Sequence, residues 1–186
     1  MISALKILRN LVLKTLHMYN ENEEIIKRLR KRGVIIGENV DIINSYIDGG
    51  FGFLCSIGNN VTLTGVRILT HDASTKKFLG YSKIGKVNIG NNVFIGNGSI
   101  LLPNIQIGNN VIIGAGTIVA KDVPDNVVIA GNPWRVLCTC EEYIERNKNK
   151  MGTSLVSNIP WYKYTSQENM DILLKGINFP NYGFNI

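Results

Sequence analysis

Two histidines stand among the 186 residues, His17 and His71. An imidazole titrates near neutral pH, so it can take a proton from a weak nucleophile such as a hydroxyl and pass it to a leaving group. His71 opens the run His71-Asp72-Ala73-Ser74 in a stretch that breaks an otherwise periodic chain, whereas His17 falls in an apolar helical pattern and reads as structural. The plain alternative for His71 is a surface histidine in a loop. Asp72 is the adjacent carboxylate, but neighbours in an extended segment point to opposite faces. Asp72 therefore reads as an acceptor contact or a loop brace, and no dyad follows, since backbone carbonyls orient an imidazole equally well. Ser74 and Ser82 lack the Gly-x-Ser-x-Gly elbow of a covalent nucleophile. Cys55, Cys138 and Cys140 are odd in number and lack the paired spacing of a zinc site, which fits reduced thiols in a cytoplasmic protein.

The element that must position these groups is a repeat of six. From Ile89 to Val123 one column holds Ile89, Ile95, Leu101, Ile107, Ile113 and Val119, and the column four places on holds Val93, Ser99, Ile105, Val111, Thr117 and Val123. A period of six fits neither a helix nor a flat strand and is a signature of β-helices. Each six reads as a short strand and a turn, and three sixes make one coil. Coils stack through main-chain hydrogen bonds about 4.8 Å apart. The 19 glycines suit a chain that bends this often.

The period begins near Val34 and breaks twice. Between Ile36 and Ile57 the spacing exceeds a coil by three residues around Asp48-Gly49-Gly50-Phe51-Gly52. Ile57, Leu63 and Leu69 are read as restoring the inward column, after which a loop or distorted coil must lie between Thr70 and Asn88. A solenoid repeats for stability, so function is expected where the repeat fails. Asp48, Phe51 and Phe53 lie, by coil stacking, at the same edge as the His71 loop. A carboxylate beside an aromatic suits a sugar, and the two phenylalanines suit the core equally.

The repeats Ile-Gly-Asn-Asn-Val, then Ile113-Gly114-Ala115-Gly116-Thr117-Ile118-Val119-Ala120-Lys121-Asp122-Val123-Pro124, and the turn Ala130-Gly131-Asn132-Pro133-Trp134-Arg135-Val136 resemble the hexapeptide-repeat acyltransferases, in particular the maltose and galactoside O-acetyltransferase type. The resemblance covers about residues 34–138 and implies a left-handed parallel β-helix, although parallel crossovers are otherwise right-handed. It implies acetyl transfer from acetyl-CoA directly to a hydroxyl, in a homotrimer with active sites between subunits. His71 then falls where the family keeps its general base. Asn97 or Gly98 would supply the oxyanion donor. Ala115 and Gly116 would form the low wall along the coenzyme arm, and Ala120 and Lys121 fall where the family often shows Thr-Lys. Lys121 and Arg135 would meet the phosphates, and Trp134 would stack on adenine or pack on the tail. Asp48, Phe51 and Asp72 would face the acceptor.

The expected fold is thus an all-β solenoid: a helical segment over 1–33, the β-helix over 34–138 with an inserted loop at 70–88, and a partly helical tail over 139–186. In the first segment Leu5, Leu8, Val12 and Leu16 recur at helical spacing and continue through Ile25, Ile26 and Leu29. It reads as a cap on the open coil or a subunit contact in preference to a membrane-surface helix. The net charge of +6 suits an anionic co-substrate; no nucleic-acid module is present. Leu29 to Gly37 and Glu141 to Arg146 look like acetyltransferases of surface-polysaccharide biosynthesis, favouring a sugar or glycan acceptor. An antibiotic acceptor and a non-catalytic scaffold remain as alternatives. A metal hydratase of the γ-carbonic-anhydrase type needs three histidines around zinc, and no metal is expected.

Overall fold

The computed structural model describes residues 21–160, 163–177 and 182–185. The helical pattern expected before residue 21, with His17, and the tail residues Trp161 and Tyr162 lie outside the described residues. The chain divides into two compact units, with the boundary in sequence between Cys140 and Glu141.

The first unit is a parallel β-solenoid preceded by helix α1 over residues 21–31. One sheet stacks β1 (Ile35–Ile36), β4 (Cys55–Ile57), β9 (Val87–Ile89) and β12 (Ile105–Ile107). A second stacks β2 (Val40–Ile43), β5 (Val61–Thr64), β10 (Val93–Ile95), β13 (Val111–Ile113) and β15 (Val127–Gly131). A third stacks β3 (Tyr46–Ile47), β6 (Arg67–Ile68), β11 (Ile100–Leu101) and β14 (Ile118–Val119). All of these pairs are parallel; β16 (Trp134–Thr139) joins the second sheet antiparallel to β15. Both sequence columns point inward, and all twelve of their residues are buried. The two hydroxyls among them are satisfied, with Ser99 Oγ donating to Gly114 O at 3.1 Å and Thr117 Oγ1 to the same oxygen at 2.5 Å.

Each corner has its own chemistry. Where the first sheet turns into the second, Asn39, Asn60, Asn92, Asn110 and Asn126 all take positive φ, the left-handed region that asparagine tolerates better than most residues. Their amides stack as a ladder, Asn39 to Asn60 to Asn92 to Asn110, at 2.9 to 3.0 Å. Where the second sheet turns into the third, Gly65 has φ of 58°, and a Cβ there would lie 1.8 Å from Asn97 Oδ1. The corner from the third sheet back to the first carries both insertions.

The inward column does not continue through Leu69. Ile68 pairs in register with Leu101 and is fully buried, while Leu69 is half-buried. The cause is the short corner at Gly65: five positions separate Leu63 from Ile68, against six between their partners Ile95 and Leu101. Consequently no distorted coil follows. The chain leaves the prism after Ile68 and re-enters at Val87, carrying β7 (His71–Asp72), the short helix α2 (Lys76–Leu79) and β8 (Lys83–Ile84), with β7 and β8 antiparallel.

Helix α1 covers the first coil. Leu29 is buried in the core and Ile25 and Ile26 pack against it. Asn22 Nδ2 donates to Val40 O and Asn22 Oδ1 accepts from Ile42 N, both at 2.8 Å, so one side chain satisfies part of the exposed edge of β2. Gly33, at φ of 85°, ends the helix.

The second unit contains most of α3 (Cys140–Met151), then β17 (Val156–Ser157), α4 (Gln167–Gly176) and β18 (Phe184–Asn185), with β17 and β18 parallel. Ser166 caps α4 by accepting from Asn169 N. Among the described residues no helix is long and apolar enough to cross a membrane.

Candidate active site

The site grows from the first insertion. After β3 the chain turns through Asp48-Gly49-Gly50-Phe51, and Asp48 Oδ1 accepts from Gly50 N at 3.0 Å and Phe51 N at 3.3 Å. One coil up, at the same corner, the excursion begins with Thr70-His71. Asp48 Oδ2 accepts from Thr70 N at 3.2 Å and hydrogen-bonds His71 Nδ1. Thr70 Oγ1 donates to Phe51 O at 2.9 Å, tying the two insertions together.

The electrostatics of this pair set its tautomer. The Asp48 side chain is 1% exposed and that of His71 39% exposed. Burial pushes the Asp48 carboxyl up, but the bond to His71 and the three backbone amides together outweigh it and hold the group down at about 2. An ionised carboxylate has no proton to give, so Nδ1 carries the hydrogen. In the neutral ring Nε2 then carries the lone pair. A half-exposed imidazole with one nitrogen fixed and the other basic is suited to proton transfer.

Asp48 is therefore not placed as the acceptor contact read from the sequence. Both its oxygens are engaged inside the protein, and it occupies the orienting position for which the sequence named no residue. The available signal was the three-residue insertion, which stacks beneath His71. Phe51 is placed at the site, its ring 5.4 Å from that of His71 and 6.2 Å from Phe53. The Asp72 carboxylate is bound instead by Lys83 Nζ at 2.6 Å and accepts from Ser74 N at 2.8 Å. The Lys83 bond, with that of Ser74, holds the Asp72 carboxyl down at about 2.

The other sequence candidates divide between corners. Ala120 and Lys121 follow β14, at the same corner as His71. Asn97, Ala115 and Gly116 are exposed at the corner between the second and third sheets. One chain does not bring these groups together. The Gly98 N–H is engaged with Gly65 O at 3.1 Å and so is not free for an oxyanion. Lys121 Nζ lies 4.6 Å from the centre of the Trp134 ring, and Trp134 packs against the core. Arg135 is exposed on β16.

Comparison with known proteins places this architecture. Residues 86–121 match the family model described as bacterial transferase hexapeptide (six repeats). Protein CapG of Staphylococcus aureus is 47% identical over 125 residues, covering 62% of this chain and 72% of that protein. The chain belongs to the hexapeptide-repeat acetyltransferase superfamily. Galactoside O-acetyltransferase of Escherichia coli is 43% identical over 93 residues, covering 50% of this chain and 43% of that enzyme. A hexapeptide-repeat acetyltransferase of Vibrio cholerae, solved in complex with acetyl coenzyme A, shares the fold at a TM-score of 0.52 and 21% identity, covering 58% of this chain and 61% of that one. The second unit lies outside the residues matched by the family model.

Proposed function

We propose that this chain is an O-acetyltransferase that moves an acetyl group from acetyl-CoA directly to a hydroxyl of a sugar or glycan precursor. The observation that carries the reading is His71, half-exposed on the excursion, with Nδ1 held by the buried Asp48 carboxylate. His71 Nε2 takes the hydroxyl proton as the oxygen attacks the thioester carbonyl. A new C–O bond forms, the C–S bond breaks, and the same proton passes from Nε2 to the departing sulfur. Asp48 stabilises the imidazolium in between without being protonated itself.

The family supports a left-handed coil and a homotrimer. The division of candidates between two corners supports the same assembly, since a site completed by a neighbour joins the His71 corner of one subunit to the Ala115-Gly116 corner of the next. Exposed small residues there leave room for the coenzyme arm, and Lys121 and Arg135 supply charge for its phosphates. Phe51 and Phe53 offer apolar faces to a sugar ring beside His71. Asp72, held by Lys83, acts as a loop brace.

Thiol release from acetyl-CoA against a panel of sugars and nucleotide-sugars tests the reading. Acceptor-dependent turnover that drops about 10²-fold or more in His71→Ala supports it. Equal turnover in the variant removes His71 as the base.

A further inference from the structure

Arg32 sits in the basic entry to the solenoid. The helix end fixes its place: Arg32 N donates to Leu29 O at 3.0 Å, Gly33 N to Arg30 O at 2.9 Å and Val34 N to Leu29 O at 3.1 Å. From this cap the side chain reaches across to the Asp48 turn. Arg32 Nη2 donates to Asp48 O and to Gly49 O, each at 2.6 Å. The turn wraps the guanidinium closely enough that a Cβ on Gly49 or Gly52 would come within 3.8 or 3.6 Å of the same nitrogen. Asp48 N is meanwhile bonded to Ile68 O at 3.0 Å, and Tyr46 Oη accepts from Gly49 N at 3.2 Å.

Two consecutive carbonyls aimed at one point repel each other unless a cation sits there, and a charged donor makes the stronger kind of hydrogen bond. Without Arg32 the Asp48-Gly49-Gly50 segment, with two glycines, has many other conformations available. The carboxylate that fixes the His71 tautomer stands on that segment. We propose that Arg32 is a positioning residue of the active site: it holds the Asp48 turn so that the carboxylate keeps His71 Nδ1 protonated and Nε2 basic. This inference rests on the reading of His71 as base only for its kinetic consequence. The tautomer itself is a property of the free protein.

Two measurements test it. In histidine-labelled protein, the ¹⁵N signals of the neutral His71 ring report one tautomer for the wild type and a mixture of Nδ1-H and Nε2-H forms for Arg32→Ala. In the thiol-release assay Arg32→Ala lowers kcat about tenfold with the KM for acetyl-CoA unchanged. The same substitution in an Asp48→Asn background costs less than twofold, because the carboxylate it serves is already gone. Arg32→Lys, which keeps a cation within reach, recovers most of the loss. Arg32→Met keeps the aliphatic stem and removes both donors, and it carries the same comparisons if the alanine variant does not fold. A single wild-type tautomer in a folded Arg32→Ala or Arg32→Met protein overturns the proposal, as does an equal kcat loss in both backgrounds. If His71→Ala retains full activity, the general-base reading fails while the ¹⁵N comparison still decides the role of Arg32.

Discussion

His71 Nδ1 and Asp48 Oδ2 are hydrogen-bonded across 23 positions of sequence, and both lie in segments that interrupt the six-residue repeat. The coil places the second insertion directly over the first, so two local breaks make one site. Asp48→Asn preserves shape and removes charge. An amide presents either its oxygen or its nitrogen to Nδ1, and the imidazolium formed during transfer loses its counter-charge. Turnover falls by roughly 10²- to 10⁴-fold, while loss of the charge lowers stability near neutral pH by no more than about 2 kcal/mol. Steady-state kinetics beside a thermal melt separates the two effects; a rate within tenfold of wild type would sink the orienting role.

The same carboxylate makes stability depend on acid. Its pKa is depressed in the folded protein from 3.8 to about 2, so the folded state binds protons less readily than the unfolded chain. The stabilisation is fully present above the unfolded value and is lost as pH falls from about 4 through 2. A shift of this size is worth roughly 2 kcal/mol. Denaturant melts at pH 6 and pH 3 should therefore differ less in Asp48→Asn than in wild type. An identical pH dependence in the two proteins means the carboxylate is not held as described.

Much of this was legible because a solenoid writes its geometry in one dimension. Twelve inward positions could be named from Ile89 to Val123 because each repeats its neighbour, and both insertions announced themselves as breaks in spacing. What spacing did not reveal was the length of a corner. Thr64-Gly65-Val66 turns in one residue fewer than Gly96-Asn97-Gly98-Ser99, and this moved the buried residue from Leu69 to Ile68. Nor does periodicity say which side chains meet inside an insertion. Asp48 and Arg32 were both visible, but their partners depend on a turn with no repeat to read.

That register is open to mutation. Ile68 is fully buried, so Ile68→Ala leaves a cavity and should cost about 2–5 kcal/mol. Leu69→Ala, at a half-buried position, should cost clearly less than Ile68→Ala. Urea melts of the two variants decide between the registers, and a larger loss at Leu69 would contradict the pairing with Leu101.

Asn92 combines a positive φ of 55° with ladder bonds of 3.0 Å on each side. Two substitutions separate these contributions. Asn92→Gly keeps the backbone geometry and loses only the side-chain ladder, costing about 1 kcal/mol. Asn92→Ala loses the ladder and also forces a Cβ residue into the left-handed region, adding about 1–2 kcal/mol. The ordering wild type, glycine, alanine in melting temperature is expected. Alanine equal to glycine would show that the turn relaxes without strain.

Lys121 presents the last decision, because its charge has two uses. Its ammonium lies 4.6 Å from the centre of the Trp134 ring, a contact worth about 0.5–1 kcal/mol at an exposed site. A coenzyme phosphate would attract the same charge. Lys121→Met keeps the apolar stem over the ring and removes only the cation, so stability changes little under either use. If the lysine meets phosphate, the KM for acetyl-CoA rises roughly five- to tenfold with kcat unchanged. The difference from wild type also narrows as salt is raised toward 1 M, where the screening length falls to about 3 Å. A KM that does not move at low salt would leave Lys121 as a partner of Trp134 alone and shift the phosphate contact to Arg135, whose own substitution by Met would then carry the salt-dependent loss.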